Sequence, residues 1–362
     1  MEVIRIHLTS YLAQSIVNKM MAQIPYNINM MDENGYILAS GDISRINSLH
    51  VGAVEVIEKK KTLTMKTAYG KNGLPGVNMP VFFENKVVGV IGITGDPEKV
   101  TPLASLLRVS TELLIKQEAY NKQQQQLKID LNHFLYQWIQ MTDSIENHPG
   151  LLLEAKKLNI DTTYSRFAIA IQNKNKKSLP LDKEEYEFNF SDTITIVLTS
   201  LKSSISRFSN LTKTGTFRIG IGKPTKKIGR SVNEALRSLE LGTIFSKKKV
   251  TRYNDIGFID SLLSAKLPVN DSISIFKSLD KDEKGKNLIQ TLITYIKNNG
   301  NVSETAKELF IHRNTLSYRL NQINLAFKLN PKSTVDLFQL YVGLMYYIYQ
   351  KSENKKMLFH TK

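Results

Sequence analysis

Between Pro102 and about Gln140 the chain carries no further glycine or proline, and a stretch of that length without a breaker predicts one long helix. Proline suits a first helical turn, and at 1.5 Å per residue the element reaches roughly 55–60 Å. Leu103, Leu106, Leu113 and Leu114, then Leu127, Leu131, Phe134, Leu135 and Trp138, give it an apolar stripe broken by Gln123–Gln126. Such a stripe is either ordinary core contact or the seam of a self-pairing helix that joins two domains. The polar gap argues against a continuous coiled coil and predicts a bend.

The rest of the chain has to be sorted to either side of that helix. Its 362 residues make two to three average domains, and 41% hydrophobic with 23% charged residues is ordinary soluble composition. The absence of cysteine excludes disulfides, thiolate zinc sites, iron–sulfur clusters and cysteine nucleophiles. The first residues, Met1 to Arg5, show no charged-then-apolar leader. The longest apolar runs, Val87–Ile93 and Leu340–Tyr349, fall short of the roughly twenty residues that cross a bilayer. A cytoplasmic protein without membrane contact is expected.

The net charge of +16 is unevenly spread. Residues 1–120 hold 12 Lys and Arg against 11 Asp and Glu, residues 121–285 hold 26 against 18, and residues 286–362 hold 11 against 4. A polyanionic partner would therefore meet the C-terminal end, although lysine-rich solvated surface accounts for the middle part equally well.

Before the long helix, an amphipathic helix near Ser10–Met21 is followed by two hairpin signals. Asn27–Met31 and Tyr36–Ala39 flank Asn34-Gly35, a pair suited to the positive φ of a tight turn. Asn78–Phe83 and Lys86–Thr94 flank Glu84-Asn85, and His50–Lys60 reads as a helix between the hairpins. After the long helix come a helix at Leu151–Leu158, strands at Arg166–Ile171, Thr193–Leu198 and Phe217–Gly222, and helices near Ser200–Phe208 and Ile228–Ser246. Asn173–Phe190 reads as an exposed polar excursion, residues 257–285 as a helical connector, and everything from Lys286 onward as helical.

That last part carries the most specific motif, Asn301 to Leu320. Ser303 can cap a short helix containing Ala306, a small residue where a second helix must cross closely. The next helix, from about His312, puts Leu316, Leu320 and Ile323 on one face. Asn314, Ser317, Tyr318 and Asn321 lie on the open side, with Arg313 leading. Two short helices, the second presenting hydrogen-bonding groups from its N-terminal half, make a helix-turn-helix suited to the major groove. The bland alternative is a helical bundle with a polar outer face.

The segment resembles the helix-turn-helix of the Fis family and, more closely, that of the PucR and carbohydrate diacid regulator (CdaR) family. The residues that carry the likeness are Thr305-Ala306, Leu309 to Leu316 and Tyr318-Arg319-Leu320. By the Fis resemblance Asn301, Ser303 and Thr315 would meet phosphates, while His312, Arg313, Asn314, Ser317 and Tyr318 would face bases. Arg319 and Asn321 complete the expected DNA-contacting set. In the same order along the chain, Leu12 to Val17, Asn27 to Asp32, Ile37 to Asp42, Arg45-Ile46, Gly76 to Pro80 and Val88 to Gly95 look like the sugar-diacid recognition domain of CdaR-type regulators.

The resemblance implies a multidomain α+β chain with four parts: a PAS-like α/β sensor domain (1–120), a continuation of the linker helix (121–150), a degenerate nucleotide-cyclase-like (GGDEF-like) domain with its connector (151–285), and an all-α helix-turn-helix domain (286–362). The position of a cyclase's Gly-Gly-acidic turn reads Asn189-Phe190-Ser191-Asp192, so no cyclase activity is expected.

In the first domain Arg45 offers either a surface ion pair or a planar fork for a carboxylate, and His50 either a helix start or a second donor. Ser40 and Asn78 can bond hydroxyls, and backbone N–H groups at Gly41, Gly76 and Gly92 could form an anion nest or mark turns. The family usually has Gly and Glu where this chain has Asn47 and Val51. The expected partners are double-stranded DNA, a small hydroxy-acid effector (a sugar diacid such as glucarate or galactarate, or glycerate) and a second copy of the chain in a dimer or higher oligomer. No cofactor or metal is expected. Two rival readings are an enzyme acting on a small carboxylic acid with an accessory nucleic-acid-binding domain, and an RNA-binding protein. The second lacks the aromatic platforms that single strands need.

Overall fold

The computed structural model describes residues 8–68, 74–141, 143–173, 178–214, 217–246 and 248–360. The first seven residues, read above for a leader, and residues 174–177 of the polar excursion lie outside the described residues. Contacts divide the chain into Met1–Asp130 and Leu131–Lys362.

The first unit begins with α1 (Ser10–Met21), whose N-terminal N–H of Leu12 donates to the Thr9 hydroxyl. Then follow β1 (Ile28–Met31), β2 (Ile37–Ser40), α2 (Val51–Lys59), β3 (Leu63–Met65), β4 (Gly76–Phe83) and β5 (Lys86–Thr94). The strands pair in the order β2-β1-β5-β4-β3, antiparallel throughout. The second hairpin turn has the backbone that its residues predict, whereas the first is a five-residue loop (32–36) in which Gly35 alone takes positive φ. Glu84 and Asn85 both have positive φ, as the tight turn between twisted strands requires. The three-residue edge strand β3 has no signal in the sequence beyond its length of chain.

Alternation along the strands sends Ile28, Met30, Val77, Met79, Ile91 and Ile93 to one face. There they pack under Ala13, Ile16 and Val17 of α1 and against Val100, Ala104 and Leu107 of α3 (Pro97–Gln140). On the other face Met31, Ile37 and Val90 meet Ala53 and Val56 of α2. The long helix starts at Pro97, five residues earlier than its second proline predicts. Asp96 begins it by accepting the Glu98 N–H, and the Thr101 hydroxyl takes the Pro97 carbonyl one turn before Pro102. The helix also runs unbroken through the four glutamines where a bend is expected.

The second unit opens with the last turns of α3 and α4 (Pro149–Lys157), followed by β6 (Phe167–Gln172), β7 (Tyr186–Asn189), β8 (Ile194–Thr199), α5 (Ser203–Thr214), β9 (Arg218–Ile221), α6 (Ile228–Phe245) and β10 (Val250–Arg252). Its sheet runs β10-β9-β6-β8-β7, with β10 parallel to β9 and the other neighbours antiparallel. Phe134, Trp138 and α6 cover one face, and Phe208 of α5 the other. A Cβ on Gly220 would lie 2.1 Å from the Ala235 carbonyl oxygen. The glycine is what lets α6 lie directly on β9. The excursion at Asn173–Phe190 is not wholly exposed chain, because its end forms β7 and pairs with β8.

The remaining helices are α7 (Tyr253–Ser264), α8 (Asn270–Leu279), α9 (Glu283–Lys297), α10 (Val302–Glu308), α11 (Arg313–Phe327) and α12 (Thr334–His360). Phe276 of α8 is fully buried, with its ring centroid 4.6 Å from that of Phe327 and 5.4 Å from that of Tyr347. The C-terminal helical core therefore begins with α8, ahead of the boundary expected at residue 286, because its central aromatic cluster needs that helix.

Candidate functional site

The predicted residues fall in two regions, one in each unit, and in the first Arg45, His50 and Asn78 lie outside the lining of the pocket that holds Ser40 and Gly41. In the first unit the strand register lines up Ser40, Asn29, Gly92 and Asn78 across neighbouring strands. Ser40, Asn29 and Asn78 are all buried, and a buried polar row is retained only where its members find partners. The Ser40 hydroxyl donates to Asn29 Oδ1 at 2.7 Å, and Asn27 Nδ2 reaches the same oxygen at 3.2 Å. A Cβ on Gly92 would come within 2.5 Å of Asn78 Oδ1, so this glycine makes room for the asparagine.

Asn78 and His50 are neighbours. A Cβ placed on Gly52 would be 3.1 Å from Asn78 Nδ2 and 3.3 Å from His50 Cε1. His50 caps α2, its Nδ1 accepting the Ala53 N–H at 3.2 Å. That geometry assigns the ring proton to Nε2, which remains a donor. Burial, and then the positive charge of Arg45, push the His50 pKa below its usual 6.5. Arg45 itself ends a short 3-10 turn, Ile43–Arg45, that is capped by Asp42. Its half-buried guanidinium forms no ion pair among the described residues. Asp42 accepts the hydroxyl and N–H of Ser44, which together with the nearby charge of Arg45 hold its carboxyl below the usual range.

A pocket of about 520 Å³ lies between α1 and this turn, lined by Gln14, Asn18, Met21, Ser40, Gly41, Ile43 and Ile46. Its volume is in the range of small-molecule sites. Gln14 Nε2 donates to Asn18 Oδ1 at 2.8 Å and to the Ser40 carbonyl at 3.3 Å, while the buried Gln14 Oε1 has no partner. An orphaned acceptor of this kind costs about 1–3 kcal/mol, which a donor from a ligand would offset. Gln14, Asn18 and Asn29 are absent from the sequence prediction. A polar pair at (i, i+4) on an otherwise apolar helix, and an asparagine in the middle of a core strand, were their signals.

The anion nest expected at Gly41, Gly76 and Gly92 does not form. A nest alternates right- and left-handed backbone, and none of the three has positive φ. The Gly41 N–H is given to the Ile28 carbonyl at 3.1 Å. Gly76 lies within β4, where a Cβ would meet the Ile93 carbonyl oxygen at 2.3 Å.

The second group lies in α10 and α11. Asn301, not Ser303, caps α10, with its Oδ1 accepting the Glu304 N–H at 3.1 Å; Ser303 is an exposed residue of the first turn. Thr305 and Ala306 are buried against the core that Leu316, Leu320, Ile323 and Phe327 of α11 share with α9 and α12. His312 caps α11, its Nδ1 accepting the Asn314 N–H at 3.3 Å. Arg313, Asn314, Thr315, Ser317, Tyr318 and Asn321 are exposed on the face opposite that core. Arg319 does not join them. It is half-buried, and its Nη1 donates to the Thr291 hydroxyl of α9 at 3.2 Å, because a position three residues after Leu316 falls on the core flank. Among the described residues no His, Asp or Glu cluster could hold a metal ion, and no helix is long and apolar enough to cross a membrane.

Both groups lie within regions that match known families. Residues 8–138 match the family described as "Putative sugar diacid recognition", and residues 288–346 match the PucR C-terminal helix-turn-helix domain. The chain is similar to the carbohydrate diacid regulator of Escherichia coli strain K12, at 28% identity over 387 aligned positions that cover 93% of this chain and 97% of that one. The chain thus joins a diacid-recognition match to a PucR-type helix-turn-helix match. The relatives with a stated role are transcription regulators. The proline-responsive transcriptional activator PutR of Bacillus subtilis is 30% identical over 138 residues, which cover 35% of this chain and 33% of that protein. Among solved structures, the regulator of polyketide synthase expression from Bifidobacterium adolescentis aligns with 60% of this chain and 92% of its own at 14% identity. Its TM-score of 0.31 is too low for its fold to inform this one. Asn47 has a φ of +65, the left-handed conformation that asparagine tolerates best after glycine.

Proposed function

We propose that this regulator senses a small hydroxy-carboxylate in its first unit and reads duplex DNA with α10 and α11, controlling genes for uptake and breakdown of that acid. Arg45 carries the reading. A half-buried guanidinium that forms no ion pair among the described residues, beside a histidine that its charge helps to keep neutral, is an arrangement that a carboxylate completes. In this reading Arg45 supplies the bidentate fork and His50 Nε2 the second donor. Ser40 and Asn78 take hydroxyls. Sugar diacids such as glucarate or galactarate, and the smaller glycerate, have this chemistry. The working form is a homo-oligomer, with Leu106, Leu113, Tyr120 and Leu127 of α3, one every seventh residue and all exposed, as the pairing seam. Asn301, Ser303 and Thr315 meet phosphates, while His312, Arg313, Asn314, Ser317, Tyr318 and Asn321 face the groove. The sheet of residues 167–252 acts as a catalytically silent spacer.

A thermal-shift screen of the full chain against glycerate, glucarate, galactarate and non-hydroxylated diacids tests the sensor. One hydroxy-acid should raise the melting temperature with a concentration dependence that follows mass action. That acid should be recovered unaltered by mass spectrometry. Turnover of it would favour an enzyme, and no shift with any acid would remove the effector site from Arg45.

A further inference from the structure

Phe310 stands apart from the other residues of the α10–α11 turn in two respects. It is 94% exposed, and its φ is +54. Among the described residues it is the one aromatic side chain in the left-handed region, where a bulky L-residue is strained and glycine is usual. The local hydrogen bonds explain the conformation. The Phe310 N–H donates to the Lys307 carbonyl and the Ile311 N–H to the Ala306 carbonyl, closing α10 so that the chain can turn into α11. They do not explain the ring. A glycine would make the same turn without strain and would not leave an aromatic face in water, so nothing in the fold of this turn calls for phenylalanine.

What surrounds the ring is basic and polar. Lys307 and Arg313 on either side are exposed and form no ion pair among the described residues, while the neighbouring carboxylate of Glu308 is paired with Lys297 and accepts a hydrogen bond from Asn298. The turn lies immediately before the N-terminus of the helix that faces the groove. We infer that Phe310 is a DNA contact, its ring packing on apolar surface of the duplex at the groove edge: a thymine methyl or a deoxyribose face. Apolar contact between phenylalanine and the thymine methyl is an established mode of base readout. The inference rests on the DNA-reading assignment of α10 and α11.

The test uses the full chain and a duplex amplified from the region upstream of its own coding sequence, made once with thymidine and once with deoxyuridine. Phe310→Gly should keep or raise the melting temperature, because glycine relieves the strained φ, and should bind the thymidine duplex about fivefold or more weakly. The slope of affinity against salt should not change, as expected for a contact that neutralises no phosphate. Phe310→Asn, which also tolerates the left-handed backbone, should behave alike and covers the case in which the glycine variant loses stability. If the wild type loses its advantage over Phe310→Gly on the deoxyuridine duplex, the ring sits on a thymine methyl; if it keeps it, the ring sits on deoxyribose. Equal affinity of wild type and both variants, with Arg313→Ala still weakened, overturns the inference about Phe310 alone. A wild type that binds neither duplex overturns the underlying assignment instead.

Discussion

In the proposed reading Arg45 is the residue on which effector sensing turns. Charge-assisted bonds to a carboxylate contribute about 1.5–3 kcal/mol, so Arg45→Ala should weaken acid binding by roughly ten- to a hundredfold. Calorimetric titration measures the loss, and DNA binding in the absence of acid should be untouched. His50 adds a pH signature. Its pKa in the free protein lies below 6.5 because burial and Arg45 disfavour the charged ring, whereas a bound carboxylate favours it. The complex then holds the proton to higher pH than the free protein does, so affinity should rise as pH falls through and below the ordinary histidine range. His50→Asn, which keeps a side-chain cap for α2, should bind with affinity independent of pH over the same interval; an unchanged pH profile in that variant would clear His50 of the role. Residue types alone bring Arg45, His50, Ser40 and Asn78 to notice. The sequence does not show that Gln14 leaves an oxygen unpartnered, because hydrogen-bond satisfaction depends on which side chains the fold brings within 3.5 Å.

At the scale of elements, periodicity and turn chemistry account for most of what forms. Asn34-Gly35, Glu84-Asn85 and the alternation of β4 and β5 specify the first sheet, and Leu316, Leu320 and Ile323 specify the inner face of α11. Boundaries were harder to read where two signals compete. Pro102 reads as a first-turn residue, yet Asp96 and Pro97 start α3 earlier, and Asn301 and Ser303 are both good caps, of which only Asn301 is positioned to accept the Glu304 N–H. Replacing Asn301 with Ala should therefore cost about 0.5–2 kcal/mol of stability, and Ser303→Ala almost none, as measured by denaturant unfolding of the two variants. Leu316 is fully buried between the paired helices; Leu316→Ala should cost about 2–5 kcal/mol and abolish DNA binding through loss of the fold. The edge strands β3 and β7 escape sequence reading because three or four half-buried residues carry too short a pattern to rise above that of a loop.

For the whole molecule, the two ends of the chain lie within independent family matches, and the long helix α3 crosses the division between its two units. Exposed Leu106, Leu113, Tyr120 and Leu127 predict self-association along that helix. Leu113→Glu should shift the sedimentation mass towards the monomer and lower DNA affinity together with it, and an unshifted mass would separate α3 from oligomerisation. The effector can move the DNA-binding equilibrium only by its differential affinity for two arrangements of the chain, so sensing and reading must be measured on the same molecule. The most direct measurement is a fluorescence-anisotropy titration of a labelled duplex from upstream of the protein's own gene, at low ionic strength, with and without the hydroxy-acid that shifts the melting temperature. Binding by the wild type that changes with the acid, and binding by Arg45→Ala that does not, is the expected result. No binding by the wild type under either condition would contradict it.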